Sequence, residues 1–237
     1  MRECAVQDLG RTSYREAFEI QSQFASERKL GLGVDRLLFV EHPHVVTIGR
    51  NGHEENLLAP RETLERAGIE LHESDRGGDV TYHGPGQIVA YPIMDLREWK
   101  RDVGAFVRGI EQVLIDTLAD FAISARRITG MTGVWTGEPG REAKIAAIGV
   151  HLSRWVSTHG WALNVSTDLS YFQYIVPCGL TKPVTSMAAL GVHADVQSVK
   201  NTLVRHFGQI FDFQIHAEIP IKGTSQADSA LAGRVFA

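Results

Sequence analysis

The chain has little cysteine: Cys4 and Cys178 are the only thiols in its 237 residues. They are far apart in the sequence, and we expect Cys4 to lie in a mobile N-terminal segment, so a structural disulfide is not expected. There is also no Arg/Lys-led apolar leader and no apolar run of about 18 residues. These absences predict a protein of a reducing, cytoplasmic compartment that does not enter a membrane.

Positive charge is also scarce, because 24 Lys and Arg face 28 Asp and Glu, which leaves a net charge of -4. A broad nucleic-acid surface needs clustered Lys and Arg to neutralise phosphates, so no nucleic-acid partner is expected. Hydrophobic residues make up 43% and charged residues 22%. This balance is typical of a globular enzyme and unlike a disordered or membrane chain.

Two common cofactor patterns are missing. The glycine-rich stretch 76–87 contains neither G-x-x-x-x-G-K-[ST] nor G-x-G-x-x-G, so it is not a phosphate loop of either kind. The ten histidines fall singly, without C-x-x-C or H-E-x-x-H spacing. We therefore expect no metal site.

Capping residues followed by apolar periodicity predict three long helices, which begin after Ser13, Asp102 and Asp195. A short helix is predicted over 60–67. Alternating or short apolar runs predict the strands, at 37–40, 45–48, 69–71, 80–82, 88–93, 124–128, 134–136, 143–152 and 161–165. The fold class is therefore α/β (α+β), with a mixed, largely antiparallel sheet flanked by helices. No linker divides residues 1–222, so we expect one domain followed by a flexible tail over 223–237.

Cys178 lies in a corner, between Pro177, which fixes its own φ, and Gly179, which permits a tight turn. Such a corner favours an accessible nucleophile, although a free Cys is more often a packing residue. Lys144 is the second unusual residue, since strand alternation places it on one face with Ala146, Ile148 and Val150. It would either be a partly buried amine or extend to water, and extension is the default for an isolated Lys. An amine within a few Å of the thiol would favour the thiolate, which gives both residues a role.

The glycines of the stretch 76–87 have two explanations of about equal weight. They are either ordinary hairpin corners or places where the backbone approaches a ligand closely, as in the wall of a narrow alkyl tunnel. In the second case His83 would line the pocket mouth. On its own, His83 is equally well explained as a hydrogen-bonded structural histidine.

Four sequence blocks resemble those of the lipoyl(octanoyl) transferases of the biotin/lipoate ligase-like superfamily. They are EHPHVVTIGR (41–50), RGGDVTYHGPGQIVAYPI (76–93), KIAAIGVHLSRWV (144–156) and HGWALNVSTDLSYFQYIVPCGL (159–180), in the family's order. The resemblance spans roughly residues 9–213. It implies the fold of the biotin and lipoate protein ligase catalytic domain.

The resemblance implies transfer of an octanoyl group from octanoyl-acyl carrier protein to one lysine of a lipoyl domain, in 2-oxoacid dehydrogenases or the glycine cleavage H protein. Cys178 would carry the acyl group as a thioester, and Lys144 would lower the pKa of its thiol. No cofactor is implied. The substrate contacts that carry over are Arg76, Gly77, Gly78, Asp79, Val80, Thr81, Tyr82, His83, Ala147, Ile148, Gly149, Gly160, Trp161 and Ala162.

Two alternatives stay open. One is an ATP-dependent lipoate or biotin protein ligase of the same fold, and the other is a non-catalytic lipoyl-domain binding protein with a structural Cys178. Docking of acidic partners would use a local basic rim, or these charges are simply scattered and solvated. The candidate rim residues are Arg126, Arg127, Arg141, Arg154 and Lys182.

Overall fold

The computed structural model describes residues 2–176 and 182–217 of the chain. Within these ranges it contains four α-helices: α1 (Tyr14–Lys29), α2 (Arg61–Arg66), α3 (Val103–Asp120) and α4 (Val196–Phe211). The same ranges contain eleven strands: β1 (Arg2–Arg11), β2 (Asp35–Glu41), β3 (Val45–Ile48), β4 (Glu70–Glu73), β5 (Val80–His83), β6 (Gln87–Ile93), β7 (Ala125–Ile128), β8 (Met131–Thr136), β9 (Ala143–Ser153), β10 (Val156–Asn164) and β11 (Phe213–Ala217).

Two sheets organise these strands. The large sheet has eight strands in the order β11-β1-β2-β6-β10-β9-β8-β7, and the small sheet has the order β4-β3-β5. β1 runs parallel to β2 and β11, and β3 runs parallel to β4, whereas every other pairing is antiparallel. The prediction of a mixed, largely antiparallel sheet is confirmed.

The helices cover both faces of the large sheet. α3 and α4 pack on one face over the largest apolar cluster, and α1 packs on the other. The three predicted caps are present: the side chains of Ser13, Asp102 and Asp195 accept hydrogen bonds from the amides of Glu16, Ala105 and Ser198. Within the described ranges, no helix is long and apolar enough to cross a bilayer.

The sequence analysis expected a mobile N-terminal segment, and this expectation is wrong. It forms β1, and the side chain of Cys4 is fully buried in the α3/α4 core. β1 is held by parallel pairing to β2 on one side and to β11, some 200 residues later, on the other. The sequence pattern missed it because both partners are distant along the chain, and local periodicity carries no information about such pairing.

A buried ion cluster joins α1, β2 and the end of β6. Asp35 is 2% exposed and accepts hydrogen bonds from Arg28 Nε at 3.0 Å, Arg2 Nη1 at 3.3 Å and the Asp95 amide at 2.9 Å. Removing one partner of a buried pair leaves an uncompensated charge, so Asp35→Ala should lower the free energy of unfolding by about 3 kcal/mol or more. Urea unfolding followed by circular dichroism measures this loss.

Glu98→Ala is the matched control for this prediction. The Glu98 carboxylate binds the same guanidinium, at 3.0 Å from Arg28 Nη2, but it is 52% exposed. Exposed pairs contribute roughly 0 to 1 kcal/mol, so its removal should change the free energy of unfolding by no more than that. Equal effects of the two substitutions would contradict a special role for the buried carboxylate.

Candidate active site

Two adjoining cavities lie between the large and small sheets. The first has an empty volume of about 450 Å³ and the second about 300 Å³, both counted out to the open mouth. They share the lining residues Thr81, Ala147 and Ala162, so they are neighbours, and together they are called the slot below.

The floor of the slot is built by β9, β10 and β6. Six predicted substrate contacts lie along it: Ala147, Ile148, Gly149, Gly160, Trp161 and Ala162. The two larger side chains in this set point away, since the Trp161 ring lies 6.1 Å from the Phe207 ring of α4 in a tilted contact and Ile148 packs on the same α3/α4 core. From β9 and β10 the floor therefore presents mostly glycine, alanine and backbone, whereas β6 contributes Val89 and Tyr91.

The roof comes from residues 76–83, which connect β4 to β5 and include β5 itself. Arg76, Gly78, Thr81 and His83 line the first cavity. The buried guanidinium of Arg76 donates to Thr47 O and Asp79 O, both at 2.7 Å, and Gly77 N donates to Val150 O on β9 at 3.0 Å. These bonds fasten the roof to both sheets.

The other four predicted contacts support the roof. Val80 and Tyr82 are buried in the apolar cluster of the small sheet, and Asp79 accepts hydrogen bonds from His53 N and Asn56 Nδ2. Gly77 makes the bond to β9. A direct contact of these four residues with a ligand stays a prediction.

Lys144 lies in the second cavity. It is only 6% exposed, and its Nζ lies 4.7 Å from the centroid of the Trp135 ring, a cation–π distance. Among the described residues, no carboxylate forms an ion pair with it. The default expectation that this side chain extends to water is therefore wrong.

The face on which Lys144 lies also differs from the prediction. Val134 pairs with Ala146 but Trp135 pairs with Lys144, so β9 carries one extra residue at Ile145. Such a bulge reverses the alternation beyond it. Consequently Lys144 lines the slot with Ala147, whereas Ala146 packs in the α3/α4 core.

Cys178, the predicted nucleophile, lies outside the described residues, as do 177 and 179–181. Before this gap, Val176 N donates to Asn56 O at 2.8 Å. After it, Pro183 O accepts from Lys144 N, and Thr185 N donates to Lys144 O, both at 2.9 Å. Residues 183–185 therefore lie next to Lys144.

A chain of buried hydrogen bonds runs from His83 to the neighbourhood of Lys144. His83 Nδ1 donates to Gln87 Oε1 at 2.7 Å, Gln87 Nε2 donates to Asn164 Oδ1 at 2.9 Å, and Asn164 Nδ2 donates to Thr185 O at 2.9 Å. Because the Gln87 amide donates to Asn164, its oxygen faces His83 and fixes the imidazole tautomer with Nε2 as an acceptor. The histidine lines the first cavity and is 7% exposed.

His83 is also electrically neutral. Burial, together with the neighbouring His42, lowers the pKa of His83 to about 3. Gln87 and Asn164 were not singled out by sequence reasoning. Both belong to the quoted sequence blocks, but their pairing across β6 and β10 is visible only in the fold.

Three aromatic rings whose polar atoms are engaged elsewhere also line the first cavity: Tyr14, Tyr91 and His159. Tyr14 Oη lies 2.7 Å from Ser74 Oγ, and Tyr91 Oη donates to His42 Nε2 at 2.7 Å. His159 Nε2 lies 2.6 Å from Asp75 Oδ1, and this bond lowers the pKa of the Asp75 carboxyl. Sequence reasoning gave no site role to these wall residues.

The proposed basic rim is divided by the structure. Arg126 and Lys182 both pair with Glu142, and the Lys182 bond at 2.7 Å helps to lower the pKa of that carboxyl to about 2. Arg127 pairs with Glu111, and Arg154 lies in the turn at the opposite end of β9. Arg154 therefore lies apart from the two cations that pair with Glu142.

Comparison with known proteins gives a consistent result. Residues 13–208 match the family described as the Lipoyl protein ligase A/B catalytic domain. An octanoyltransferase of Solibacter usitatus is 66% identical over 215 residues, covering 91% of this chain and 96% of the relative.

Solved structures share the fold at low identity. A bipartite lipoate protein ligase from Thermoplasma acidophilum, studied with its E2 lipoyl domain, superposes with a TM-score of 0.68 at 17% identity, covering 92% of this chain and 87% of the other. A biotin protein ligase from Aquifex aeolicus in complex with biotin and ATP gives a TM-score of 0.52 at 10% identity, with coverages of 90% and 71%.

Proposed function

Since the chain belongs to the octanoyltransferases of the lipoyl protein ligase A/B catalytic domain family, and is therefore an acyltransferase, we propose that it moves an octanoyl group from acyl carrier protein to a lipoyl-domain lysine. The acceptors are the lipoyl domains of 2-oxoacid dehydrogenases and the glycine cleavage H protein. The observation that carries the proposal is a slot with small floor residues that has a buried amine, Lys144, in its second cavity.

The first half of the reaction loads the enzyme. The Cys178 thiolate attacks the carbonyl carbon of the octanoyl thioester, a new C–S bond forms, and the carrier's sulfur leaves as a thiolate. The Lys144 ammonium stabilises the attacking thiolate, supplies a proton to the departing one and is left as a neutral amine. The alkyl chain meanwhile occupies the slot, where burial of its methylenes favours binding.

The second half of the reaction transfers the octanoyl group from the enzyme to the acceptor. The amine of the acceptor lysine attacks the Cys178 thioester, an amide bond forms, and the Cys178 sulfur leaves. The proton lost by the attacking amine passes to Lys144, which returns the site to its starting state. Because donor and acceptor use the same sulfur in turn, the kinetics should be ping-pong.

The direct test is incubation of the purified protein with octanoyl-acyl carrier protein, followed by intact mass spectrometry. The mass should rise by one octanoyl group, and neutral hydroxylamine should remove the added group because a thioester is labile to it. Peptide mapping should place the group on Cys178. An unchanged mass, or an octanoyl group attached elsewhere, would contradict the proposal.

Simple measurements distinguish two other functions from the proposed acyl transfer. The fold is shared with ligases whose structures contain ATP, and a ligase should bind ATP with Mg²⁺ in a calorimetric titration. A non-catalytic lipoyl-domain binder should instead bind the domain without acylating it, and its Cys178 should react with iodoacetamide no faster than a free thiol. We expect neither result.

A further inference from the structure

The Lys144 side chain is held by β8, the strand that neighbours β9 in the large sheet. Val134 packs in the α3/α4 core, so strand alternation turns Trp135 to the opposite face, where it pairs with Lys144. The Trp135 side chain is fully buried, and its ring centroid lies 4.7 Å from Lys144 Nζ. The amine therefore lies over the face of the indole ring.

The aliphatic stem of Lys144 passes over Gly133. A Cβ atom on Gly133 would lie 3.5 Å from Lys144 Cε and 3.6 Å from its Cδ, which is van der Waals contact. The same Cβ would lie 2.7 Å from Ala146 O, and the φ of Gly133 is 120°, a conformation that favours glycine. The absence of a side chain at this position leaves the lysine stem a path along β8 toward the Trp135 ring.

A buried carboxylate of α3 fixes this part of β8. Glu111 is 6% exposed, and its Oε1 accepts a hydrogen bond from Gly133 N at 3.2 Å. Its other oxygen, Oε2, accepts from Arg127 Nε at 2.9 Å, so both oxygens are engaged. The backbone beneath the Lys144 stem is thus held in place from α3.

A ring face suits a lysine that must lose and regain a proton. A carboxylate partner attracts an ammonium strongly in a buried site and would keep the proton on the lysine. An aromatic face attracts the cation more weakly and cannot accept its proton. The Trp135 indole offers only such a face, because its N–H donates to Met131 O at 3.1 Å.

We propose that Trp135 is a positioning residue for acyl transfer, whose ring holds the Lys144 amine at a fixed place in the second cavity and leaves it free to exchange its proton. This inference rests on the proposed function, in which Lys144 is the proton-transfer group. Trp135 is in the lining of neither cavity, so it acts through Lys144. Its loss should therefore slow the chemical step without weakening the binding of the donor.

The test replaces Trp135 by leucine, which removes the ring, and by phenylalanine, which keeps an aromatic face. In Trp135→Leu, the maximal rate of self-acylation by octanoyl-acyl carrier protein should fall roughly tenfold, which corresponds to about 1.4 kcal/mol and lies within the range of a desolvated cation–π contact. The carrier concentration that gives half of this rate should not change. Trp135→Phe should stay within about threefold of the wild type, because it restores the π face.

Trp99→Leu is the matched control. It makes the same change on a tryptophan that packs against Phe211 at the α3/α4 core and lines neither cavity. Its self-acylation rate should equal that of the wild type. All three variants should retain the wild-type circular dichroism spectrum, and rates are measured by intact mass spectrometry after rapid quenching.

A second measurement reports the geometry without any activity. In protein labelled with ¹³C at the Cε atoms of lysine, the Lys144 signal is identified by its loss in Lys144→Met. The ring current of the indole face should shift the Lys144 Hε resonance upfield, and Trp135→Leu should return it to the position of ordinary lysines. Should Trp135→Leu fail to fold, the wild-type spectrum and the Trp135→Phe rate still decide the question.

A wild-type rate in Trp135→Leu, an equal loss in Trp99→Leu, or no recovery in Trp135→Phe would overturn the inference while leaving the proposed function intact. A Lys144 resonance at the ordinary position in the wild type would do the same. Failure of the wild type to accept an octanoyl group would overturn the proposed function itself, and the resonance would still show whether the ring holds the amine.

Discussion

Replacement of Cys178 by serine should abolish acyl transfer, with the initial rate of amide formation on a lipoyl domain falling by at least about 10³-fold, as for other nucleophile substitutions. A serine hydroxyl is not ionised near neutral pH and forms an ester in place of the exchangeable thioester. The octanoyl-dependent mass increase should disappear with it. The rate is measured by mass spectrometry of the lipoyl domain after mixing with octanoyl-acyl carrier protein.

Cys4→Ala is the control for this prediction. Burial raises the pKa of the Cys4 thiol well above its ordinary value, and the side chain packs in the α3/α4 core. A buried neutral thiol is chemically inert, so its loss should leave the transfer rate unchanged even if it lowers stability. Retention of full activity by Cys178→Ser, or its loss in a folded Cys4→Ala protein, would place the nucleophile elsewhere.

Local sequence signals predicted the elements whose determinants are local. The caps at Ser13, Asp102 and Asp195 and the apolar faces after them correctly placed α1, α3 and α4. β1 and β11 were not predicted, because their stability comes from parallel pairing between the two ends of the described chain. Pairing energy of this kind depends on neighbours that no short window contains.

The same limit applies inside the site. A lysine in an apolar strand was a visible anomaly, but its face could not be obtained from alternation because one extra residue at Ile145 reverses the pattern. Similarly, the Gln87–Asn164 hydrogen bond joins residues 77 positions apart. Through this bond the Gln87 side chain that contacts His83 is linked to Asn164, which contacts Thr185, and only the folded register reveals the connection.

The placement of Lys144 has an energetic consequence. A buried amine without a carboxylate partner among the described residues loses hydration that no ion pair replaces, and the Trp135 ring recovers only part of it. A nearby thiolate would offset this cost. In the proposed mechanism, a buried ammonium and an ionised thiol would therefore stabilise each other, and acylation of the sulfur would remove the negative partner.

Lys144→Met tests this coupling and should slow acyl transfer by about 100-fold, at the lower end of what a positioned acid or base contributes. Methionine keeps a flexible apolar side chain of similar length, so the variant should fold normally. Without the amine, the pH dependence of iodoacetamide alkylation at Cys178 should move up toward the ordinary thiol pKa near 8.5. A variant that merely disturbed packing would not produce that shift.

The matched control is Lys182→Met, the same change on a lysine whose ammonium pairs with Glu142. Lys182 directly follows residues 177–181 in the sequence but is not in the lining of either cavity. Its transfer rate and alkylation profile should stay within about twofold of the wild type, because Glu142 keeps its second cation, Arg126, when Lys182 is lost. If Lys144→Met behaved like this control, the amine would have no part in activating the sulfur, and the slot would be a binding site whose chemistry depends on other groups.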